Sequence, residues 1–194
     1  MGGSITIKIS LILLVIGLII FVIGFAAPYW YSHDYEIGPS VLDSHRYKGT
    51  RHTGLWLYCD VYDRWDGRSP NRKVGRVHVD ECREFLAYDH LTITSELRAT
   101  QFFETMGLIG LVATFVLLML GLCMESCHDR RILPIIASVL CLASAGSIIL
   151  GTIIYGSAEA HQDYLSWAFA LTIVSGVIFV VTGFIILVGA IVNK

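Results

Sequence analysis

Charge is scarce in this chain. Only 15% of its 194 residues are Asp, Glu, Lys or Arg, while 55% are hydrophobic, against roughly a quarter charged in an ordinary soluble domain. That deficit excludes a conventional water-soluble globule. The formal net charge is −2, and cations and anions are nearly matched between the apolar runs. No concentrated basic face is left for a phosphate backbone, so nucleic acid is excluded as a partner. A Gly-rich phosphate loop, a nucleophile elbow and paired carboxylates within an apolar run are all missing, so nothing supports an enzyme or a cofactor. There is also no Asn-x-Ser/Thr sequon.

What is present is concentrated in four apolar blocks, 5–27, 102–123, 132–155 and 167–192. Each is long enough to cross a hydrocarbon core of about 30 Å as a helix. The first block exceeds the usual signal-peptide core of about 7–15 residues and has only Lys8 as an early cation, which favours a retained span over a cleaved leader. The reading is one integral membrane domain over residues 1–194, with loops at about 28–101 and 156–166. Long loops translocate largely regardless of charge, so only short segments set orientation. Lys8, Arg130, Arg131 and Lys194 lie on one side, and the link between the third and fourth spans has no Lys or Arg. Both termini are therefore expected in the cytoplasm of a multi-pass plasma-membrane protein. The long loop then faces an oxidising compartment, where its only two cysteines, Cys59 and Cys82, can pair.

The first span ends at Pro28-Tyr29-Trp30-Tyr31, where an interfacial aromatic belt and a specific packing role for Trp30 are competing readings. Short alternating runs in the long loop predict strands. Leu55, Leu57 and Cys59 would share one strand face with Trp56 and Tyr58 on the other, and Val77 and Val79 open a second run reaching Cys82. The Gly and Pro of residues 65–73 fit a hairpin tip. A Cys59–Cys82 bridge would staple that hairpin, contributing about 3 kcal/mol by chain entropy.

Arg98 falls at the membrane surface just before the second apolar block, as a snorkelling cation or a partner for carbonyls or for Trp30. Glu104 is placed near the start of that span, where a carboxylate can face the helix N-terminus. Small residues at Ala143, Ser147 and Gly151, and at Ala168, Thr172 and Gly176, mark close helix contacts, within the bundle as the commoner case or else between copies. Cys123 and Cys127 are candidate S-palmitoylation sites, with inert thiols as the alternative, and Cys141 reads as a packing residue. Their spacing does not fit a haem attachment site. Zinc would lack ligands there. Glu159, His161 and Asp163 read as an exposed polar turn rather than a metal site, and the five loop histidines lack ligand spacing.

Four spans, a long first loop and a short second one, with Trp30, Gly54-Leu55-Trp56-x-x-Cys59 and Cys82, together resemble the claudin superfamily. That superfamily includes the peripheral myelin and epithelial membrane proteins and the calcium-channel gamma subunits. The resemblance implies a left-handed four-helix bundle topped by an extracellular antiparallel β-sheet, mostly from the first loop with one strand from the second. It implies a Cys59–Cys82 disulfide, with Trp30, Gly54, Leu55, Trp56 and Arg98 anchoring sheet to bundle. The expected function is a junctional barrier or pore built by self-association with copies or related proteins, or else an auxiliary subunit of an ion channel or receptor. The wide cysteine gap and short second loop look more like a divergent, invertebrate-type relative than a vertebrate tight-junction claudin. The Ile191-Val192-Asn193-Lys194 end does not resemble a PDZ ligand.

Overall fold

Each apolar block forms a helix, because a backbone in hydrocarbon must satisfy its hydrogen bonds within the segment. The computed structural model describes residues 2–38, 45–66, 77–84, 94–123, 132–158 and 164–192. Its helices are α1 (Gly2–Ala26), α2 (Ser95–Cys123), α3 (Ile132–Ser157) and α4 (Trp167–Val192). All four are long and apolar enough to cross a membrane. Large side chains such as Ile19, Ile109, Val139 and Val188 point outward. An apolar girdle of that extent marks a lipid-facing surface, and the chain is a multi-pass membrane protein.

Helix α1 packs on α4, α4 on α3 and α3 on α2, with a lighter α1–α2 contact closing the bundle. Leu14, Phe21, Leu111, Leu118, Cys141, Ile148, Phe179 and Ile186 fill its centre. Glycine sets the α1–α4 approach, since a Cβ on Gly17 would lie 2.6 Å from the Phe179 ring. Most buried hydroxyls donate to main-chain carbonyls, within a helix or across to the next; Ser138 Oγ reaches Gly183 O at 2.9 Å. Cys141 is fully buried as a packing residue, its thiol 3.4 Å from Phe179 O.

Three sequence expectations change here. Helix α2 begins seven residues before its apolar block, because Thr94 caps it: Leu97 N–H donates to Thr94 Oγ1 at 3.3 Å and Arg98 N–H to Thr94 O at 3.2 Å. Glu104 is therefore not near the helix start; it lies in the third turn and is completely buried. On α3, Ala143 faces outward, and the packed face instead runs through Ala137, Cys141, Ser144, Ile148, Gly151 and Tyr155. Small residues report where a helix can approach, not which of its faces does. On α4, Ala168, Thr172 and Gly176 are buried as expected.

Beyond one end of the bundle lies an antiparallel meander of β1 (Tyr31–Ile37), β2 (His45–Thr53), β3 (Leu57–Asp66) and β4 (Val77–Glu84), in the order β1-β2-β3-β4. Cys59 stands directly opposite Cys82 in the β3–β4 register, and the two form a disulfide. The second loop supplies an isolated bridge, Tyr31 to Leu165, where the resemblance implied a strand. The alternating pattern of β3 starts at Leu57 rather than Leu55, since Gly54 N–H donates to Leu57 O at 2.8 Å and turns the chain before the strand. Most of the expected hairpin tip lies outside the described residues. So do Glu159, His161, Asp163, Cys127 and the side chain of Cys123.

Candidate functional site

Where the sheet meets the bundle, the chain leaves α1 through Ala27-Pro28-Tyr29-Trp30. Proline has no N–H, so the Gly24 carbonyl, four residues earlier, loses the donor that a continuing helix would give it. The Trp30 indole takes that place, its Nε1–H donating to Gly24 O at 2.7 Å. Trp30 is completely buried. Its main chain is held on two sides, N–H to Thr53 O at 3.0 Å and carbonyl from Ser166 N–H at 2.9 Å. Its ring meets Tyr155 of α3 and Phe169 of α4 edge-on, with centroids 5.1 and 5.7 Å away. The packing reading of Trp30 thus displaces the headgroup-anchor reading.

Gly54 passes against the same corner. A Cβ there would press on Ala27 O and lie 2.7 Å from Pro28 Cα, so only glycine fits. Leu55, fully buried, joins Trp30, Tyr58, Leu97, Tyr155 and Ala168 in a second apolar cluster. Trp56 leaves this cluster's centre and lies on Phe25 of α1, 5.3 Å between ring centroids. Each of the four helices contributes to this junction.

Arg98 is not drawn into it. Its side chain is exposed, and among the described residues the cation–π contact is made by Arg51, 5.8 Å over Tyr35. Gln101 makes the polar link instead, its Nε2–H donating to Leu55 O at 2.6 Å. Sequence reasoning missed Gln101 because the helix was started at residue 102. The signal was there: Leu97 and Gln101, upstream of the apolar block, stand at helical spacing from Glu104 within it, behind a capping Thr94.

The face of the sheet carrying Tyr31, Thr53 and Tyr58 bears a polar row across all four strands: His33, Arg51, Asp60 and Glu81. Arg51 grips Asp60 through two hydrogen bonds, Nε at 2.6 Å and Nη2 at 3.0 Å. The Asp60 hydrogen bond pushes the guanidinium further toward its charged form, against the opposing effect of partial burial. Glu81 pairs with Arg83. Partial burial raises the phenol of Tyr35 above its ordinary value, and that of Tyr31 likewise, with Tyr164 adding to it. Tyr164 packs edge-on against His33, 4.7 Å between centroids, and against Tyr31 at 5.7 Å. The second loop is thereby fastened to β1.

This arrangement sets a rigid, stapled sheet at a fixed position on a membrane bundle. A search of curated proteins finds no match to the chain. A family model described as PMP-22/EMP/MP20/claudin tight junction matches residues 15–188, which takes in the second half of α1, all of α2 and α3, most of α4, the disulfide and the junction around Trp30, and the chain belongs to that family.

Proposed function

We propose that the protein acts at cell–cell contacts, where lateral and trans self-association of its sheet-bearing end forms or regulates a paracellular barrier or pore. The family match carries this reading. It is supported by a sheet that presents charged and aromatic side chains, Arg51, Asp60, Tyr35 and Tyr62, while its base is locked by Trp30, Leu55 and the disulfide. In this reading the sheet lies outside the cell, both termini lie in the cytoplasm, and the protein is non-enzymatic. Trp30, Gly54, Leu55, Trp56 and Gln101 act as its anchoring residues.

A second reading, an auxiliary subunit of an ion channel or receptor, is favoured by the short connection from Ser157 to Trp167. A link that short leaves little chain for an adhesive second loop. Expression in cells devoid of junctional strands separates the two readings. Strands at contacts by freeze-fracture and altered transepithelial resistance are expected from the first. Absence of strands, no enrichment at contacts and unchanged resistance would refute it. Recovery of a channel or receptor in fixed proportion from native membranes would establish the second.

A further inference from the structure

Glu104 is completely buried, and neither oxygen of its carboxyl group has a hydrogen-bond partner among the described residues. It lies on the α2 face that meets α3. Gly151 stands opposite, where an added Cβ would fall 2.9 Å from Oε1 and 3.3 Å from Cδ. One turn earlier on the same face, Thr100 Oγ1 donates to Gly151 O at 3.2 Å. A carboxylate sealed in such a place is strongly disfavoured unless a positive charge compensates it.

The neighbours do not supply that charge. Among the described residues, α3 and α4 contain no Asp, Glu, Lys, Arg or His. Helix α1 has Lys8 alone, at the end of the bundle away from the sheet, and Glu96 and Arg98 of α2 are exposed in its first turn. Tyr155, one turn beyond Gly151 on α3, is the remaining titratable group nearby, and its ring packs against Trp30. The compensating charge must come from solution. On the side of Oε1 the Gly151 backbone lies too close for a metal ion with its coordination shell, whereas a proton needs no such space.

We propose that Glu104 is a proton-binding site set into the α2–α3 contact. The neutral acid completes that contact one turn of α3 away from Tyr155, whose ring packs against Trp30. Loss of the proton places a bare charge between the helices, draws in water and parts them at the end that carries the sheet. Attachment of the sheet is thereby tied to proton activity, whether the protein serves a junction or a channel. A folded form that holds a proton loses stability as pH rises.

The test uses the full chain in lipid nanodiscs, comparing wild type with Glu104→Gln, which keeps the shape and removes the ionisable group. A carboxylic-acid C=O band at neutral pH in the infrared difference spectrum, absent from the variant, is expected. The wild-type melting temperature should fall from mildly acidic to mildly alkaline pH more steeply than that of the variant. Exchanging Na⁺ for K⁺ or choline should move neither. If Glu104→Gln does not fold, Glu104→Met supplies the same subtraction. No lost band, identical pH profiles in wild type and variant, or a Na⁺-dependent melt peculiar to wild type would each overturn the proposal, the last in favour of an alkali-metal site.

Discussion

Replacing Trp30 by Phe tests the account of how the sheet is attached. The substitution keeps an aromatic ring in the Tyr155–Phe169 cluster and removes the donor to Gly24 O. Leaving that carbonyl buried and unpaired costs about 1–3 kcal/mol. The smaller ring opens a cavity costing about 1–2 kcal/mol more. A loss of roughly 2–5 kcal/mol lowers the melting temperature of a chain this size by roughly 5–15 °C. Cys141, buried and free, can report the melt through a thiol-reactive dye once Cys123 and Cys127 are changed to Ser. A second substitution makes the test specific. Pro28→Ala restores a main-chain N–H four residues after Gly24, so it should recover the hydrogen-bond share of the loss in the Trp30→Phe background and give less benefit in wild type. An unchanged melt in Trp30→Phe, or no recovery from Pro28→Ala, would refute the reasoning.

Gln101→Leu leaves Leu55 O without its donor and should cost about 1–2 kcal/mol, whereas Arg98→Ala, at an exposed position, should stay within about 0.5 kcal/mol; the same thiol-accessibility melt ranks them, and the reverse order would restore Arg98 as the anchor. Cys59→Ser removes a bridge worth about 3 kcal/mol from a small sheet, so surface biotinylation should show the variant retained inside the cell, and normal trafficking would count against a structural bridge. Burial raises the phenols of Tyr31 and Tyr35 above their ordinary value of 10.0, so the folded sheet keeps protons that the unfolded chain releases first. Stability should therefore decline as pH rises through 10.0, and melts across that range should decline less steeply for Tyr35→Phe.

The four spans were legible because crossing a bilayer needs only length and apolarity, which hydropathy reports directly. Cys59 and Cys82 were legible because the long loop holds no other cysteine. Trp30 was ambiguous, since an aromatic residue beside Pro28 suits an interfacial belt as well as a packed core. Only the missing N–H of Pro28 distinguishes them, and that requires knowing where the Gly24 carbonyl points. Arg98 drew attention as a cation beside an apolar block, but the cap at Thr94 moved the helix start and rotated Arg98 outward. The same rotation brought Gln101 to Leu55 and Glu104 to Gly151. One misplaced helix start thus accounts for two misread positions and one missed residue.

The junction also constrains where specificity can reside. Trp30 and Leu55 together touch all four helices, through Gly24, Leu97, Tyr155 and Ala168, so the base of the sheet cannot shift without disturbing the bundle. The disulfide joins the third residue of β3 to β4 near that base. Strand β3 continues to Asp66, a total reach of roughly 30 Å for ten extended residues. Toward the outer end of the sheet, apart from the buried Trp65, the side-chain pairings include ones that water can exchange: His78 to Asp63 at 3.1 Å, the Tyr47–Tyr62 rings 5.9 Å apart, and Lys48 of β2 to Glu36 of β1 at 3.9 Å. Exposed pairings of this kind contribute little to stability, so substitutions among them change the surface without threatening the fold. Partner choice can therefore vary in the outer half of the sheet, while the inner half, closed by Trp30, Gly54, Leu55 and the Cys59–Cys82 bridge, has little freedom to change.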